Sequence, residues 1–404
     1  MSTSLLYHGF GIRGYTYVKT EYEAGKVIFT VCQERGDLRC AICGSRRVVR
    51  RGSQLRRFRS LPIGSRGVQV LLDVPRVRCA DCGELRQVSV DFADERRSYT
   101  RAFERYVLEL SHHMTIRDVA EHLEVGWDLV KDIQKRYLSR RFRRIKLKHL
   151  RRIAIDEISI GRGHRYLTVV LDLKSGAVVF VGQGKGADAL KPFWKRLQRS
   201  RAGIEAVAMD MSPAYISAVR AHLSKAVIVF DHFHVIKLFN EKLSNLRREL
   251  YREATEQLHK DVLKGTRWLL LKNPENLDGT RDEAKRLHEA LALNQPLATA
   301  YYMREDLRRV WEQSDRVAAQ RILDDWIRRA ECSGIRTLIR FAHTLAAHRS
   351  GILNYYDYRI STGPLEGTNT KIRVLQRKAY GFRDTEFFKL KIYALHETRY
   401  TLVG

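Results

Sequence analysis

Four of the six cysteines stand in two short pairs whose spacing is typical of a metal site. The pairs are Cys40-Ala-Ile-Cys43-Gly and Cys79-Ala-Asp-Cys82-Gly. Each can turn both thiolates toward one point, and the following glycine lets backbone amides approach the sulfurs. Zn²⁺ prefers four such ligands in structural sites, which leaves no open position for chemistry. The sequence therefore predicts a zinc ribbon with one structural Zn²⁺, and four cysteines without metal are the alternative. The other two cysteines, at positions 32 and 332, are expected to be buried thiols.

Two aspartates stand where metal-dependent phosphodiester chemistry would need carboxylates. Asp156 interrupts the apolar run Ile153-Ala-Ile-Asp156-Glu-Ile-Ser-Ile, and Asp210 ends the run Ile204-Glu-Ala-Val-Ala-Met-Asp210. Such chemistry concentrates negative charge, so the ions that activate a nucleophile and stabilise a leaving oxygen need clustered hard ligands. Asp156 and Asp210 are therefore candidate ligands for catalytic Mg²⁺ or Mn²⁺.

The segment around these aspartates has the element order of an RNase H-like fold. Three strand patterns separated by glycine-containing turns predict an antiparallel meander, followed by a helix, a strand, a helix and a fifth strand. These elements are expected over 153–160, 166–173, 177–181, 187–199, 204–210, from 213 onward, and over 226–231. In that fold the first and fourth strands are parallel neighbours. Asp156 and Asp210 would then meet at one edge of a mixed five-stranded sheet.

Three other acids compete for a place at this edge. Asp172 ends the second strand and would lie away from the site if the hairpin is regular. Asp231 ends the fifth strand, one position beyond the fourth, and could touch the rim of the site. Glu157 should face the opposite side of the strand from Asp156, because successive strand residues alternate, and is expected to be structural.

The charge of the chain favours a polyanionic partner. Lys and Arg number 74 against 46 Asp and Glu, a net charge of +28 with a pI near 10.1. Nucleic acid is favoured over acidic membranes, because no amphipathic anchor or lipidation motif stands out. No apolar run has membrane-spanning length, and residues 1–20 lack the layout of a signal peptide. A location in the bacterial cytoplasm or nucleoid is therefore expected.

Residues 101–138 are predicted to be helical, and they contain the pattern of a helix-turn-helix. Thr115 can cap a first helix, a turn follows at 124–126, and each helix carries an apolar stripe. In the DNA-binding motif the second helix lies in the major groove, with Trp127, Asp128 and Lys131 near its exposed side. The sequence thus predicts DNA contacts at Trp127 and Lys131, and a generic helical hairpin is the alternative.

Basic clusters flank this motif. Residues 135–152 contain ten Lys or Arg and no acid. They are predicted to be a domain linker that tracks a DNA backbone through Arg141, Arg143 and Arg144. Seven of the ten arginines between the cysteine pairs lie close together in sequence, and they form either a solvated basic face or phosphate contacts: Arg46, Arg47, Arg50, Arg51, Arg56, Arg57 and Arg59.

Several short motifs occur along the chain from residue 155 onward. They are Ile155-Asp156-Glu157, Asp210-Met-Ser with Tyr215, Asp231-His-Phe-His234-Val, Glu366-Gly-Thr-Asn369, Lys371-Ile-Arg and Tyr380-Gly-Phe. Together with the cysteine pairs, they give nearly the whole chain a resemblance to DDE transposases of bacterial insertion sequences. The class it resembles has a zinc ribbon, a helix-turn-helix and a helical insertion in the catalytic domain. The resemblance implies that Asp156, Asp210 and Glu366 form the metal-binding catalytic triad.

The same resemblance implies supporting residues. Asp231-x-x-His234 is similar to a motif of hAT-like and Mutator-like transposases, with His234 near the scissile phosphate, and a structural histidine is the alternative. Trp268 matches a tryptophan that related enzymes stack against a DNA base, and a core tryptophan is the alternative. The helix that carries Glu366 is expected to continue through 371–383 and to add DNA contacts at Asn369, Arg373 and Arg377.

A multidomain α/β protein of five parts is predicted. A zinc-ribbon DNA-binding domain covers 1–95, and the helix-turn-helix with the basic linker covers 96–150. The first part of the RNase H-like catalytic domain covers 151–238, a helical insertion 239–350, and the last part of the catalytic domain 351–404. The insertion is expected to be a unit of its own, because it is too long for a loop inside a compact domain.

The leading functional hypothesis is a transposase that binds terminal inverted repeats of double-stranded DNA. It would hydrolyse DNA at the transposon ends with Mg²⁺ or Mn²⁺ and then join the freed 3′-hydroxyl to target DNA. A homodimer or higher oligomer is expected, since two ends must be cut together. An inactive transposase acting as a regulator and a structure-specific nuclease are the alternatives. Three carboxylates facing DNA argue against the inactive regulator. An amino-terminal region suited to recognising DNA ends argues against the nuclease.

Overall fold

The computed structural model describes residues 5–161, 163 and 165–396. They form two compact units. One combines the described parts of 1–143 and 375–404, and the other spans 144–374.

A five-stranded sheet forms the first part of the amino-terminal unit. A short helix, α1 (Leu5–Phe10), precedes the five strands β1 (Thr16–Glu23), β2 (Lys26–Cys32), β3 (Val48–Ile63), β4 (Arg66–Cys79) and β5 (Leu85–Gln87). The order is β1-β2-β4-β3 with β5 paired to β4, and β2 runs parallel to β4 while the other pairs are antiparallel. Alternate residues of β4 are fully buried, the period that a strand with one core face requires: Val68, Val70, Leu72 and Val74.

Strand β4 contains two apolar runs, at 68–74 and 77–79. The partner strand β3 contains five arginines and suggested a basic surface rather than a strand. It pairs with β4 along most of its length, with Val48 opposite Cys79 at the far end. Pairing with a strongly apolar neighbour therefore overrides the weak strand pattern of β3.

Three helices follow in the same unit: α2 (Arg101–Leu110), α3 (Ile116–His122) and α4 (Trp127–Arg141). Thr115 caps α3 in a reciprocal capping box with Asp118, and Glu124 turns the chain with a φ of 51°. A separate apolar core closes between the helices, as the helix-turn-helix pattern predicted; it includes Val119, Ala120, Leu123, Val130 and Ile133. Helix α4 continues to Arg141, so the first part of the expected basic linker is helical.

The second unit is built on a mixed five-stranded sheet with flanking helices. Its first elements are β6 (Arg152–Gly161), β7 (Arg165–Asp172), β8 (Val178–Gln183), α5 (Ala187–Ser200), β9 (Ala206–Met209), α6 (Pro213–His222) and β10 (Val227–Phe230). The strand order is β10-β9-β6-β7-β8. The pairs β6–β9 and β9–β10 are parallel, and the pairs β6–β7 and β7–β8 are antiparallel. This is the RNase H-like arrangement that the sequence predicted.

Helices complete this unit after β10. They are α7 (His232–Glu253), α8 (Gln257–Gly265), α9 (Glu283–Leu293), α10 (Gln295–Arg308), α11 (Arg316–Glu331), α12 (Arg336–Leu353), α13 (Tyr355–Tyr358) and α14 (Gly363–Lys378), whose last residues, 375–378, are grouped with the amino-terminal unit. One continuous core joins the sheet to the helices of 239–350, with Phe239, Trp326 and Phe341 packed edge to face. A Cβ at Gly351 would lie 2.4 Å from the Phe230 ring, so glycine permits α12 to pack on β10. These helices therefore share a hydrophobic core with the sheet.

A last helix, α15 (Thr385–Tyr393), belongs to the amino-terminal unit. It packs on α4 through Leu138, Phe387 and Ala394. Asp384 caps α15 and accepts a hydrogen bond from Lys135 over 2.7 Å. Both ends of the described chain thus contribute to one unit. No helix in the described part of the chain is long and apolar enough to cross a membrane.

Candidate functional site

The two cysteine pairs converge on one point in the amino-terminal unit. The Sγ atoms of Cys40 and Cys82 lie 3.6 Å apart, and those of Cys43 and Cys79 lie 3.5 Å apart. All four Sγ atoms lie within 4.8 Å of one another. A tetrahedral site with Zn–S bonds of about 2.3 Å needs sulfurs roughly 3.8 Å apart, so the set fits zinc.

Backbone geometry forms this cluster in the same way at each pair. Gly44 and Gly83 have φ of 73° and 71°, and their amides donate to the carbonyls of Cys40 and Cys79. Glycine adopts such values without strain. Amides of residues 43 and 42 also lower the pKa of Cys40 to about 7, which favours the thiolate that binds zinc. The two cysteines at 32 and 332 are exposed, contrary to the expectation from the sequence, and lie outside the cluster.

Strand register brings Asp156 and Asp210 to the same level of the second sheet. Ala154 of β6 pairs in parallel with Ala208 of β9, and each aspartate lies two residues beyond its alanine. Asp210 follows the end of β9 and accepts a hydrogen bond from the amide of Ser212 over 3.0 Å. Asp156 on β6 and Asp210 just beyond β9 therefore lie at neighbouring positions, as strand order predicted.

Both oxygens of Asp156 have partners. Its Oδ1 accepts from the amide of Glu157 over 2.8 Å, and its Oδ2 accepts from Nδ2 of Asn369 over 2.7 Å. Asn369 lies on α14, one turn after Glu366. Helix α14 therefore reaches the aspartate of β6 although more than 200 residues separate them.

Glu366 lies in the first turn of α14 and faces a histidine of α7. Its Oε1 is 3.9 Å from Nε2 of His234, whose side chain is 16% exposed. Asp231 is buried and caps α7, with Oδ1 accepting from the amide of Phe233 over 2.8 Å. The other oxygen accepts from the amide of Thr362 over 2.6 Å, just before α14 begins. Asp231 thus joins the two helices that carry His234 and Glu366.

Electrostatics at this edge favour a cation. Burial raises the pKa of Asp156, the nearby charge of Asp210 raises it further, and His234 acts in the opposite direction. Burial likewise raises the pKa of Glu366, and the charge of Asp156 adds to the effect. Carboxylates that resist ionisation because they are buried near one another are stabilised as anions by a divalent ion. Hard oxygen donors of this kind fit Mg²⁺ or Mn²⁺.

The carboxylates are less tightly gathered than the cysteines. Within the described ranges, the cysteine cluster is the one set of three or more His, Cys, Asp or Glu ligands whose donor atoms all lie within 4.8 Å. A cation shared by Asp156, Asp210 and Glu366 would therefore require these side chains to move closer together.

The competing acids occupy other places. Asp172 accepts hydrogen bonds within its own turn, from the amides of Lys174 and Ser175, as expected for a residue outside the site. Glu157 accepts a hydrogen bond from Oη of the buried Tyr215 over 3.4 Å. Burial raises the pKa of Glu157, and the charge of Asp210 adds to the effect.

Lys237 is a residue near the site that sequence reasoning missed. It is exposed on α7, three residues after His234. Its charge lowers the pKa of both Asp156 and Glu366. The helical spacing from His234 was the available signal, since residues three apart share a helix face.

The predicted DNA-contacting residues are mostly exposed. On α4, Trp127 is 56% exposed, while Lys131 is 3.4 Å from Asp384 and has a 28% exposed side chain. Trp268 is 65% exposed beside the Arg267 guanidinium, so the alternative of a core tryptophan is wrong. Asn369, in contrast, is 7% exposed. The remaining predicted contacts are exposed arginines: Arg141, Arg143, Arg144, Arg373 and Arg377.

Several arginines of the β3 region bind groups of the chain itself. Arg59 donates to the carbonyl of Leu123 at the end of α3 over 2.7 Å, and its guanidinium fills the space beside Gly67. Three further arginines form ion pairs with acids of the same sheet region: Arg47 with Asp81, Arg50 with Asp73 and Arg57 with Glu23. The exposed pairs remain accessible to a phosphate, whereas Arg59 has a structural role.

Three family models match consecutive parts of the chain. A model described as a zinc-finger of transposase IS204/IS1001/IS1096/IS1165 matches residues 38–82. The helix-turn-helix domain of transposase family ISL3 matches 88–138, and a transposase model of the DDE type of that family matches 153–392.

Relatives match over most of their length. The transposase for insertion sequence element IS1001 of Bordetella parapertussis is 35% identical over 363 residues, 88% of this chain and 88% of the relative. The transposase for IS1557 of Mycobacterium tuberculosis is 32% identical over 392 residues, 91% of this chain and 87% of the relative. A solved Drosophila P element transposase strand transfer complex covers 64% of the chain at 11% identity and a TM-score of 0.33, too low to define a shared fold.

Proposed function

The chain belongs to the ISL3 family of DDE transposases, enzymes that cleave DNA and transfer strands, and we propose that Asp156, Asp210 and Glu366 are its metal-binding catalytic carboxylates. One observation carries the proposal for the third acid. Helix α14 bears Glu366 and, one turn later, the Asn369 amide that donates to Asp156 over 2.7 Å. Residues one turn apart share a helix face, so Glu366 belongs to the same edge of the sheet as Asp156.

Divalent ions held by these carboxylates, Mg²⁺ or Mn²⁺, would neutralise charge on the phosphate and activate the attacking oxygen. The chain's own residues bind and orient the substrate. His234 faces Glu366, and Lys237 adds a cation on the same helix. Both are suited to contact the oxygens of the scissile phosphate. Asp231 supports catalysis by joining the start of α7 to the approach to α14.

The reaction proceeds in two displacements at phosphorus. In the first, water attacks at a transposon end, the bond from phosphorus to the 3′ oxygen breaks, and a 3′-hydroxyl is released. In the second, that hydroxyl attacks a phosphodiester of target DNA, and the leaving oxygen takes the proton. The number of phosphodiester bonds is conserved in the second step.

End recognition is assigned to the amino-terminal unit. Helix α4 with Trp127 and Lys131 would read the terminal inverted repeats, and the zinc ribbon and exposed arginines would bind phosphates. Trp268 offers an exposed indole for stacking on a base. A homodimer or higher oligomer would bring two ends together.

Cleavage of a DNA fragment carrying the repeats that flank the gene tests the assignment. Asp156→Asn, Asp210→Asn and Glu366→Gln should each lower cleavage by about 10²-fold or more, since each removes a metal ligand. End binding in a mobility-shift assay should change little. Asp172→Asn is the matched control, because Asp172 bonds within its own turn. Full cleavage by any one of the three variants would remove that residue from the triad.

A further inference from the structure

We propose that Asn369 is a positioning residue that holds the Asp156 carboxylate for metal binding, and that it does not contact DNA. The proposal rests on the proposed function, in which Asp156 is a metal ligand. The sequence analysis places Asn369 among the DNA contacts of α14, whereas its contact with Asp156 indicates a different role.

Two bonds define the orientation of the Asp156 carboxylate. The amide of Glu157 fixes Oδ1 at 2.8 Å, and Nδ2 of Asn369 fixes Oδ2 at 2.7 Å. Rotation about the carboxylate axis breaks both bonds, so the pair restricts the side chain to one arrangement. Each oxygen retains a second lone pair for a cation.

A neutral amide is suited to this position. Burial and the charge of Asp210 already raise the pKa of Asp156, and another carboxylate beside it would add repulsion. A lysine or arginine would neutralise Asp156 and compete with the metal. Asparagine donates a hydrogen bond without adding charge. Groups that orient metal ligands in this way affect metal affinity although they do not bind the ion.

The second polar atom of the side chain points to a ligand as well. Oδ1 of Asn369 is buried and has no hydrogen-bond partner among the described residues, and the residue is 7% exposed. A buried acceptor without a donor is costly. Water carried by a hydrated divalent ion would supply the missing donor.

Burial argues against the DNA role. Arg373 lies one turn further along α14 and is exposed, so it is available to a phosphate. Asn369 and Ile372 are buried on the side of the helix that packs on the unit. DNA can reach the Arg373 side chain without any change in α14. It cannot reach the buried side chains of Asn369 and Ile372 in the same way.

Direct binding of Mn²⁺ to the zinc-loaded full chain, measured by electron paramagnetic resonance without DNA, tests the proposal. Asn369→Leu keeps the branching of the side chain at Cγ, although leucine is larger, and removes the donor. It should weaken Mn²⁺ binding about 10- to 100-fold, the usual effect of removing a group that orients a metal ligand. Binding of end DNA in metal-free buffer should stay within about twofold of wild type. Arg373→Ala should show the reverse, with Mn²⁺ binding intact and DNA binding weakened.

Two further variants separate the possible failures. If Asp156→Asn also leaves Mn²⁺ binding unchanged, the proposed metal site itself is wrong. If Asp156→Asn loses Mn²⁺ while Asn369→Leu binds it normally, only the role of Asn369 is overturned. Weakened DNA binding by a folded Asn369→Leu protein with normal Mn²⁺ affinity would restore the DNA-contact assignment. Should the leucine variant fail to fold, as judged by circular dichroism, Asn369→Ser provides the same comparison with a smaller polar side chain.

A double-mutant cycle completes the test. Combining Asn369→Leu with Asp156→Asn should add little to the loss of Mn²⁺ binding caused by Asp156→Asn alone, because both changes act on one ligand. Fully additive losses would mean that Asn369 acts independently of Asp156, against the proposal.

Discussion

Asp231 and Thr362 are joined by a hydrogen bond of 2.6 Å from the Thr362 amide to the Asp231 carboxylate, across 131 positions of the sequence. The other oxygen of the same carboxylate caps α7 at Phe233. One buried side chain thus sets the start of the helix with His234 and the approach to the helix with Glu366.

Asp231→Asn is expected to loosen the approach to α14 while keeping the cap of α7. The amide oxygen can still accept from Phe233, but the NH₂ group cannot accept from Thr362. The resulting unsatisfied amide should cost about 1–3 kcal/mol of unfolding free energy, and cleavage should fall as Glu366 loses its fixed position. Urea denaturation and end cleavage measure the two effects. Asp315→Asn, at the cap of α11, is the matched control and should change both by little. Wild-type stability in the Asp231 variant would show that the bond to Thr362 contributes nothing.

Removal of one zinc ligand should empty the cysteine cluster. We expect about one zinc ion per purified chain, and Cys40→Ser should bring the content toward zero and lower DNA binding by the amino-terminal unit. Because metal displaces thiol protons, zinc affinity should also rise with pH, beginning near the Cys40 pKa of about 7. Elemental analysis and chelator competition at several pH values provide the measurements. Cys32→Ser, at an exposed cysteine outside the cluster, should retain its zinc. A full zinc content in the Cys40 variant would contradict the four-ligand site.

Asp156→Asn should stabilise the protein in the absence of magnesium and manganese while removing cleavage. Burial raises the pKa of Asp156, so its charged form opposes folding at neutral pH. Removing that charge should add about 0.5–2 kcal/mol at pH 7. The Asn369 amide can turn its Oδ1 toward the new NH₂ group, so the change leaves no buried donor unpaired. As pH falls through the raised folded pKa, the wild-type carboxyl becomes neutral and the difference between the proteins should shrink. Denaturation without added divalent ions at several pH values tests the sign. A destabilised variant at pH 7 would mean that the contacts of the carboxylate outweigh its burial.

Asp384→Asn should strengthen non-specific DNA binding. Asp384 lies 2.7 Å from Lys135 and 3.4 Å from Lys131, both on α4. Without its charge the two lysines can neutralise phosphates, so affinity and its salt dependence should both increase. Titrations with random-sequence DNA at several salt concentrations measure this. Asp132→Asn removes an acid from α4 that pairs with Arg97 instead, and should raise affinity less. Equal effects of the two changes would indicate that net charge alone matters.

Because of the same ion pairs, the effect of Asp384→Asn on the free energy of unfolding should depend on pH. Lys135 and the cap of α15 hold the pKa of Asp384 at about 2, below its ordinary value. A lowered folded pKa contributes stability above the unfolded value of 3.8 and loses it as pH falls toward 2. The variant should therefore be less stable than wild type at neutral pH, by about 1 kcal/mol or less, and the difference should disappear as pH falls below about 2.

Strand order was enough to predict where Asp156 and Asp210 lie, because adjacent parallel strands place equivalent positions side by side. The location of Glu366 was beyond such reasoning. It depends on how the chain returns to the sheet after the helices of 239–350, and only the resemblance indicated it. The buried position of Asn369 could not be predicted for the same reason, since its partner on β6 lies 213 residues away. Arginine-rich β3 was missed because its pairing with β4, rather than its own pattern, makes it a strand.

The packing of α15 on α4 has a consequence for the order of synthesis. Lys135 and Asp384 are separated by 249 residues, so a growing chain presents α4 long before its covering helix exists. At about 5–20 residues per second, the interval is on the order of 10–50 s. During that time Leu138 lacks Phe387 and Ala394, and both lysines lack Asp384. A nascent protein therefore carries a more cationic recognition helix than a finished one, and it does so while still attached to the ribosome.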